Sequence, residues 1–503
     1  MILTAEEFPK VPIIIDGISP RFIRENKIIP MELRNNTLKV IMADPGRKEI
    51  IEALRVAIAG DIVVYTGDPA TIDEHISRFY SQETQNINRI IEGIDEQNLE
   101  FIKETEEEDI GHLKDLASEA PIIKLVNLLI TRAVEGRASD IHIEPFEDEI
   151  TIRYRIDGIL HDIESVPKRL QAAIISRVKI MAKLNIAERR LPQDGRIRLR
   201  VGEREIDLRI STIPILHGES VVMRILDKES VVIELDSLGF MPDVLERFNH
   251  LIQRPNGIIL VTGPTGSGKT TTLYGALDKI NSPDKKIITV EDPVEYQLKG
   301  INQIQVKPQI GLQFANTLRH IVRQDPDVVM IGEIRDLETA EIAIQAALTG
   351  HLVFSTLHTN DAPSAITRLL DMGIEGFLLS STIRGILAQR LVRVICSECK
   401  VENGLSDQRQ ELVALGVRKG ITLYAGQGCE ACGHTGFRGR MGIFELLVVD
   451  NDMRQLILKN ADAAQIRETA RKSGMKTLLE DGIEKIQMGT TTSIEVFRVT
   501  RED

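Results

Sequence analysis

Apolar and polar residues alternate with two different periods along this chain, and the change of period predicts where one domain gives way to the next. Near the N-terminus, apolar runs at 37–42 and 61–65 predict two strands around a helix near 47–58, a small α/β module. An amphipathic helix is predicted to begin near Pro121, where apolar residues recur with helical spacing. Alternating strands follow it, at 140–144, 149–155, 196–201, 205–210 and 220–225. This alternation is typical of an antiparallel sheet with one solvated face.

Apolar runs of strand length alternate with helical segments from about residue 235 to 390, which predicts a parallel α/β domain. A cysteine-bearing segment interrupts this pattern, and helices follow it to the end of the chain. The predicted organisation is therefore that of a multidomain α/β protein. Its parts are an N-terminal domain at 1–80, an acidic linker at 81–120, a sheet domain at 121–230, and a parallel α/β domain at 231–503 with an insert at 391–445 and C-terminal helices at 446–503.

Composition limits the classes of function that the chain can have. Of its 503 residues, 42% are hydrophobic and 27% are charged, which is enough apolar material for several buried cores. The net charge of −13 disfavours a general electrostatic grip on nucleic acid. No run approaches about 18 apolar residues, and the first residues lack the basic and apolar regions of a signal peptide. We expect a cytosolic protein that reaches a membrane only through a partner.

The most informative motif is a glycine-rich loop between a predicted strand at 257–262 and a predicted helix. It fits the phosphate-binding pattern G-x-x-x-x-G-K-[ST], in which backbone N–H groups surround a phosphate at a helix N-terminus. Lys269 would reach the β- and γ-phosphates, and the Thr270 hydroxyl would bind Mg²⁺. The predicted nucleotide-binding residues are Gly263, Pro264, Thr265, Gly266, Ser267, Gly268, Lys269, Thr270 and Thr271.

Two later apolar runs end in carboxylates. The first ends at Glu291, within the sequence Glu-Asp-Pro-Val-Glu, and the second, 328–331, continues into Gly332 and Glu333. Carboxylates at the C-terminal ends of parallel strands face the ligand crevice of an open α/β sheet. Glu333 would orient the attacking water in phosphoryl transfer, and Glu291 would order Mg²⁺ or a water. The alternative role for the carboxylates that begin at Glu291 is to cap the next turn.

Histidine and arginine side chains are further candidates for contact with phosphate. His358 follows a predicted strand in the same sheet, so we expect it near the γ-phosphate as a sensor or positioning group, more than His351 at the strand's other end. The solvated face of the antiparallel sheet is rich in arginine. These arginines are candidate clamps for the γ-phosphate, with ordinary solvated positions as the alternative.

The four cysteines form two C-x-x-C pairs separated by 29 residues, Cys396 with Cys399 and Cys429 with Cys432. In a reducing cytosol this spacing favours metal binding over disulfides. Four thiolates complete the tetrahedral shell of a structural Zn²⁺ site. Redox thiols or an iron–sulfur cluster are the alternatives.

With these motifs together, the chain from about 120 to 503 resembles the secretion traffic ATPases, in the branch that serves type II secretion and type IV pilus assembly. The motifs that carry the resemblance are the phosphate loop at 263–270, the aspartate box at 291–295, the segments 318–327 and 332–336, the histidine box at 350–361 and the tetracysteine insert.

The resemblance implies a homohexameric ATPase whose cofactors are ATP, Mg²⁺ and Zn²⁺. It implies a RecA-like domain holding the nucleotide and a preceding PAS-like α+β sheet domain that closes over it. Arg209 and Arg224 match family arginines brought to the phosphates from the sheet domain, and Arg319 and Arg323 match a second family pair. The N-terminal domain would dock onto the cytoplasmic domain of an inner-membrane platform protein, beside a polytopic platform protein, so that the ATPase is peripheral on that membrane.

Several functions compete at this stage. The leading hypothesis is an ATPase that powers pseudopilus assembly and protein export, and the nearest alternative is a pilus-extension ATPase. A pilus-retraction motor is disfavoured because such motors usually lack the cysteine insert. A helicase-like motor is disfavoured by the absence of Trp and the net charge of −13. A scaffold that binds ATP without hydrolysing it is disfavoured by the presence of Glu333.

Overall fold

This computed structural model describes residues 8, 22–23, 26–34, 37–58, 60–79, 114, 116–227, 234–403 and 422–500. Most of the predicted acidic linker lies outside the described residues. The chain divides into two compact units, the first built mostly from residues up to 225 and the second mostly from residues after it. Among the described residues, no helix combines the length and apolar character needed to span a bilayer.

The N-terminal module contains a three-stranded sheet in which β2 pairs antiparallel with β1 and parallel with β3. Its elements are β1 (Ile28–Arg34), β2 (Thr37–Met42), α1 (Lys48–Ile58), β3 (Asp61–Thr66) and α2 (Pro69–Phe79). Ile28, Leu38 and Leu54 are fully buried between the sheet and the helices, so the module has a core of its own. The two predicted strands and the helix between them are confirmed, and β1 and α2 are added.

The sheet domain contains six strands in the order β6-β5-β4-β9-β8-β7, with β4 antiparallel to both of its neighbours. Its helix α3 starts with Pro121 in its first turn and buries the predicted apolar stripe, including Leu125 and Leu129. All five predicted strands are present. The elements are α3 (Ala120–Glu135), β4 (Ala138–Pro145), β5 (Glu149–Ile156), β6 (Ile159–Pro167), α4 (Gln171–Met181), β7 (Gln193–Val201), β8 (Arg204–Ile215) and β9 (Gly218–Asp227).

The second unit is built on a seven-stranded sheet in the order β12-β11-β13-β14-β10-β15-β18. The first six strands are parallel and β18 is antiparallel to β15, so the predicted parallel α/β domain is confirmed. The strands are β10 (Gly257–Thr262), β11 (Ile287–Glu291), β12 (Asn302–Gln305), β13 (Val328–Ile331), β14 (Leu352–Leu357), β15 (Ile383–Ile395) and β18 (Phe437–Val448).

Helices cover both faces of this sheet, over two separate clusters of buried apolar residues. α5 (Pro242–Ile252) precedes the sheet, and the helices within its connections are α6 (Lys269–Ile280), α7 (Phe314–Ile321), α8 (Leu337–Leu348), α9 (Ala362–Asp371) and α10 (Gly376–Thr382). The C-terminal helices are α11 (Asn451–Leu458), α12 (Ala463–Lys472), α13 (Leu478–Gln487) and α14 (Ser493–Thr500), as the helical pattern predicted.

The cysteine-bearing insert is shorter than the predicted 391–445. β15 continues in the main sheet to Ile395, and β18 begins in it at Phe437, because the two strands pair along most of their length. Outside the main sheet, β16 (Lys400–Asn403) and β17 (Leu423–Gly426) form a two-stranded antiparallel ribbon.

Candidate nucleotide site and metal centre

The glycine loop has the backbone shape that its sequence predicts. β10 is buried along its whole length, and α6 begins directly after the loop with Gly268 as its N-cap. Gly263, Gly266 and Gly268 have φ of 151°, 79° and 87°, a region that residues with a Cβ rarely adopt. A Cβ at Gly263 would also lie 2.5 Å from the carbonyl oxygen of Gln389. The predicted strand, loop and helix are therefore confirmed.

Polar groups of the loop are arranged to receive an anion. The Nζ of Lys269 donates to the carbonyl oxygens of Gly263 at 2.8 Å and Pro264 at 3.1 Å. Burial lowers the pKa of Lys269 to about 8, against the opposing charge of Glu333. The hydroxyl of Ser267 is buried and has no hydrogen-bond partner among the described residues. A phosphate would supply acceptors to both side chains, so the loop fits the nucleotide that the sequence predicts.

Glu333 and His358 lie close together, beyond the C-terminal ends of β13 and β14. The Nε2 of His358 lies 3.4 Å from one carboxylate oxygen of Glu333, and Arg335 forms an ion pair with the other oxygen. The Glu333 side chain is 17% exposed and that of His358 is 50% exposed. The Glu333 carboxylate is therefore oriented by a cation and an imidazole while it still borders solvent.

Gly332 occupies a crowded position between two strands. A Cβ there would lie 3.3 Å from the Val290 carbonyl oxygen and 3.4 Å from the Cα of Glu291. The Gly332 N–H donates to the same carbonyl at 2.8 Å. The lack of a side chain lets β11 approach closely and leaves Glu333 as the carboxylate at the end of β13.

Glu291 is placed differently from the expectation of an open magnesium or water ligand. Its side chain is buried, and it accepts hydrogen bonds from Tyr274, from Thr289 and, at 3.2 Å, from Gln303. Burial raises the pKa of Glu291, and these hydrogen bonds oppose the rise. Both carboxylate oxygens already have protein donors, so Glu291 is part of a buried polar cluster in this structure.

Arg209 lies on β8 and Arg224 on β9, both in the first unit. Arg224 is 57% exposed, and its Nε lies 3.0 Å from Asp140. The second pair lies in the α7 region of the second unit. Arg319 forms an ion pair with Glu338 at 2.7 Å, and Arg323 contacts His320 at 2.7 Å.

His351 has a different environment from His358. It precedes β14, and its Nδ1 lies 2.8 Å from the carbonyl oxygen of Ala346, near the end of α8. The histidine box therefore places His358 beyond the carboxyl end of the strand and His351 before its amino end. This contact anchors the His351 ring to a helix end.

Several polar residues around the loop escaped the sequence argument. Gln389 accepts from the Thr272 hydroxyl at 2.7 Å, and Arg390 donates to the Asn360 carbonyl at 2.9 Å. Both β15 residues are buried, at 2% and 8% exposure. The available signal was a Gln-Arg pair flanked by the apolar residues 386–388 and 391–392, because buried polar side chains require partners.

The four cysteines form one compact cluster. Their sulfur atoms all lie within 4.8 Å of one another, and three of the separations are 3.8, 3.9 and 3.8 Å. Tetrahedral Zn²⁺ with Zn–S bonds of about 2.3 Å requires sulfur separations of about 3.8 Å. Backbone N–H groups of Gly428, Cys429 and Gly436 point at two of the sulfurs, which stabilises thiolates. The cluster fits the predicted zinc site and no disulfide is formed.

A strand, glycine loop and helix with a lysine, and a carboxylate at the end of a parallel strand two positions away in the same sheet, define a P-loop ATPase fold. A family model for the type II/IV secretion system proteins matches residues 115–498, and one for the MshEN domain matches residues 2–86. The chain belongs to the type II/IV secretion system protein family.

Its relatives include both branches that the sequence suggested. It is 54% identical over 491 residues to the type II secretion system protein E of Xanthomonas campestris pv. campestris, covering 97% of this chain and 85% of that protein. It is 43% identical over 506 residues to the type IV pilus assembly ATPase PilB of Myxococcus xanthus, covering 100% of this chain and 89% of that one. These relatives imply ATP hydrolysis for the family.

Solved structures are similar to about three quarters of the chain. The pilus retraction motor PilT with bound ADP matches at 29% identity with a TM-score of 0.50, covering 74% of this chain and 96% of that chain. The Legionella pneumophila ATPase DotB matches at 21% identity with a TM-score of 0.56, covering 75% of this chain and 95% of that chain, which is a likeness of fold.

Proposed function

We propose that this chain is the ATPase of a type II secretion system, which hydrolyses ATP to ADP and phosphate to power pseudopilus assembly and protein export. The observation that carries the proposal is the Glu333–His358 pair beside a complete phosphate loop. The 54% identity to a type II secretion system protein E favours the secretion branch. Type IV pilus assembly is the second candidate, because PilB aligns with 100% of this chain.

In this proposal Lys269 moves from its own loop carbonyls to the β- and γ-phosphates, and the N–H groups of the loop hold the same phosphates. Thr270 would hold Mg²⁺, which would supply positive charge to neutralise the phosphate oxygens. Glu333 accepts a hydrogen bond from the attacking water and orients it, and His358 senses the γ-phosphate. Glu291 contributes to catalysis indirectly, from the buried cluster that it forms with Tyr274, Thr289 and Gln303.

The arginines complete the charge balance of the transition state. Arg209 and Arg224 reach the phosphates from the PAS-like sheet domain, and Arg319 and Arg323 belong to the RecA-like domain. ATP and ADP then favour different arrangements of the two domains, because the triphosphate binds cations from both. A homohexamer of such subunits converts this difference into movement of neighbouring subunits.

The same proposal assigns the N-terminal module a docking role. The module has its own core and is joined to the rest through the acidic linker, so it is suited to bind a partner independently. That partner is the cytoplasmic domain of an inner-membrane platform protein, with a polytopic platform protein as a further contact. The ATPase is then cytoplasmic and peripheral on the membrane through these partners.

Glu333→Gln tests the proposed chemistry. The substitution keeps the size of the side chain but removes the charge that orients water, so turnover should fall about 100-fold or more while ATP still binds. Phosphate release and binding of a fluorescent ATP analogue measure the two quantities. Glu341→Gln, at an exposed site on α8, is the matched control and should hydrolyse ATP like the wild type.

Hydrolysis by Glu333→Gln at the wild-type rate would contradict the role of Glu333. Absence of hydrolysis in the wild type in every assembly state would contradict the proposed ATPase function. Deletion of the gene in its host separates the two branches: loss of protein export supports secretion, and loss of pili supports the second candidate.

A further inference from the structure

Tyr274 lies one helical turn after Thr270 on α6, so the two side chains share a face of the helix that follows the phosphate loop. The Tyr274 side chain is 1% exposed. Its ring packs edge-on against Tyr296, with centroids 4.5 Å apart and an interplanar angle of 87°. A buried phenol on this helix requires polar partners for its hydroxyl.

The Tyr274 hydroxyl has three such partners, on three different segments. It donates to Glu291 at the end of β11. It accepts from the backbone N–H of Glu295 at 3.4 Å and from the side-chain amide of Gln303, on β12, at 3.4 Å. A phenol offers one donor and two acceptor positions, so the hydrogen-bonding capacity of the Tyr274 hydroxyl is fully satisfied. It joins the phosphate-loop helix to both ends of the aspartate box at 291–295.

Glu291 is held by the same cluster. Thr289 and Gln303 both donate to one of its oxygens, and Tyr274 donates to the other. The next residue, Asp292, is exposed and close enough for its charge to raise the pKa of Arg335, although the main cause is the hydrogen bond between Arg335 and Glu333. The donors that hold Glu291 therefore also hold the residue that precedes Asp292. The ends of β11 and β13 are in direct contact as well, because the Gly332 N–H, next to Glu333, donates to the Val290 carbonyl, next to Glu291, at 2.8 Å.

We propose that Tyr274 is a positioning residue for ATP hydrolysis. Its hydroxyl fixes Glu291 and the aspartate box relative to the phosphate-loop helix, and through Asp292 and Arg335 it sets the orientation of the Glu333 carboxylate. The inference rests on the proposed ATPase function. Tyr274 itself touches neither phosphate nor water in this role, so its effect is on the rate of the chemical step and not on nucleotide affinity.

Tyr274→Phe is the direct test, because it removes the hydroxyl and keeps the ring packed on Tyr296. We expect kcat to fall about tenfold, in line with loss of a hydrogen bond to a charged group, with KM for ATP and the affinity for an ATP analogue changed less than about twofold. Tyr296→Phe is the matched control: it removes the hydroxyl of the tyrosine packed against Tyr274 and should leave kcat unchanged. Thermal unfolding of each variant identifies any loss of folded protein.

A double-mutant cycle with Glu291→Gln separates positioning from a general structural effect. If Tyr274 acts through Glu291, the double variant should be no slower than Glu291→Gln alone. Thr289→Val removes a second donor to Glu291 and should also lower kcat at constant KM, which gives a reading that does not depend on how well Tyr274→Phe folds.

The outcomes separate the inference from the proposed function on which it rests. A wild-type protein that hydrolyses ATP, with Tyr274→Phe equally fast, would overturn the positioning role alone. The positioning role would also be overturned if the factors by which Tyr274→Phe and Glu291→Gln lower kcat simply multiplied in the double variant. An equal fall in kcat for Tyr296→Phe would overturn it as well. A wild-type protein that binds ATP and never hydrolyses it would overturn the ATPase function itself.

Discussion

Glu445 is a buried carboxylate in the second unit, where strand β18 contacts the start of helix α9. It lies on β18, is 3% exposed, and accepts a hydrogen bond at 2.8 Å from the Ala362 N–H at the start of α9. Asp361, which caps the same helix, forms an ion pair with Arg467 beside it. Burial raises the pKa of Glu445 to about 7, and the neighbouring Asp361 adds to the rise.

The sign of the resulting pH dependence follows from linkage. A carboxyl group whose folded-state pKa lies above its usual value near 4.5 stabilises the fold at low pH, and this contribution is lost as pH rises towards 7. Glu445→Gln keeps the acceptor for Ala362 and cannot ionise. It should therefore be more stable than the wild type at pH 8, by up to about 3 kcal/mol, with little difference at pH 5.

Thermal unfolding at several pH values checks this prediction. Glu468→Gln, an exposed residue paired with Lys472 on α12, is the control and should bring no gain at pH 8. An unfolding temperature of Glu445→Gln that tracks the wild type at every pH would show that Glu445 ionises without cost in the folded protein.

At the scale of the element, the cysteine cluster closes the ends of two long strands. Cys396 directly follows β15, and Cys432 lies five residues before β18 begins. The Cys396 N–H donates to the Gly436 carbonyl at 3.0 Å, so a backbone hydrogen bond also joins the two cysteine-bearing segments. A metal held by the four sulfurs would anchor the ribbon of β16 and β17 to the main sheet.

Replacing Cys396 and Cys399 by Ser should release about one Zn²⁺ per chain and lower the unfolding temperature, because metal binding at such sites contributes directly to folding. Zinc content by atomic spectrometry and thermal unfolding measure the two effects. His434→Asn is the matched control, since His434 is exposed in the same insert with a φ of 61° that Asn tolerates, and it should retain zinc. Purified wild-type protein without zinc would contradict the site.

Three elements that the sequence pattern did not predict each have a physical reason for their weak signal. β1 contains Pro30, and the register shifts between Pro30 and Glu32, so the pattern does not read as a strand. β6 is the edge strand of its sheet and is mostly half-exposed, which blurs its alternation. In α4 even Ser176 and Lys179 are buried, so the polar face that marks an amphipathic helix is absent.

Only part of the candidate site could be predicted from the sequence. Sequence reasoning identified the phosphate loop, Glu333 and His358, because strand ends of a parallel sheet converge on one edge. It did not identify Arg335 as the partner of Glu333, or Tyr274 and Gln303 as partners of Glu291, since side-chain contacts between distant segments depend on tertiary packing. Glu291 was expected beside the metal for that reason, and its burial among three donors became visible only in the fold.

At the scale of the whole molecule, the proposed mechanism requires cations from both units at one phosphate. Lys269 belongs to the second unit and Arg224 to the first. Arg224 is more than half exposed, so it is free to exchange its contact with Asp140 for a ligand. Asp140 would keep two partners at its other carboxylate oxygen, because Ser139 donates to that oxygen at 2.8 Å and Arg155 lies 3.8 Å from it.

Arg224→Ala should therefore leave the fold and zinc content unchanged while turnover falls about 100-fold, the usual cost of losing one charged donor to a transition state. Arg155→Ala is the matched control, because it removes the other arginine of Asp140 from the same sheet and should hydrolyse ATP at close to the wild-type rate. Phosphate release by both variants is measured at protein concentrations above and below the concentration at which the proposed homohexamer forms. Equal rates for the two variants would mean that the first unit supplies no charge to the phosphate, and the two-domain clamp would have to be abandoned in favour of hydrolysis within the second unit alone.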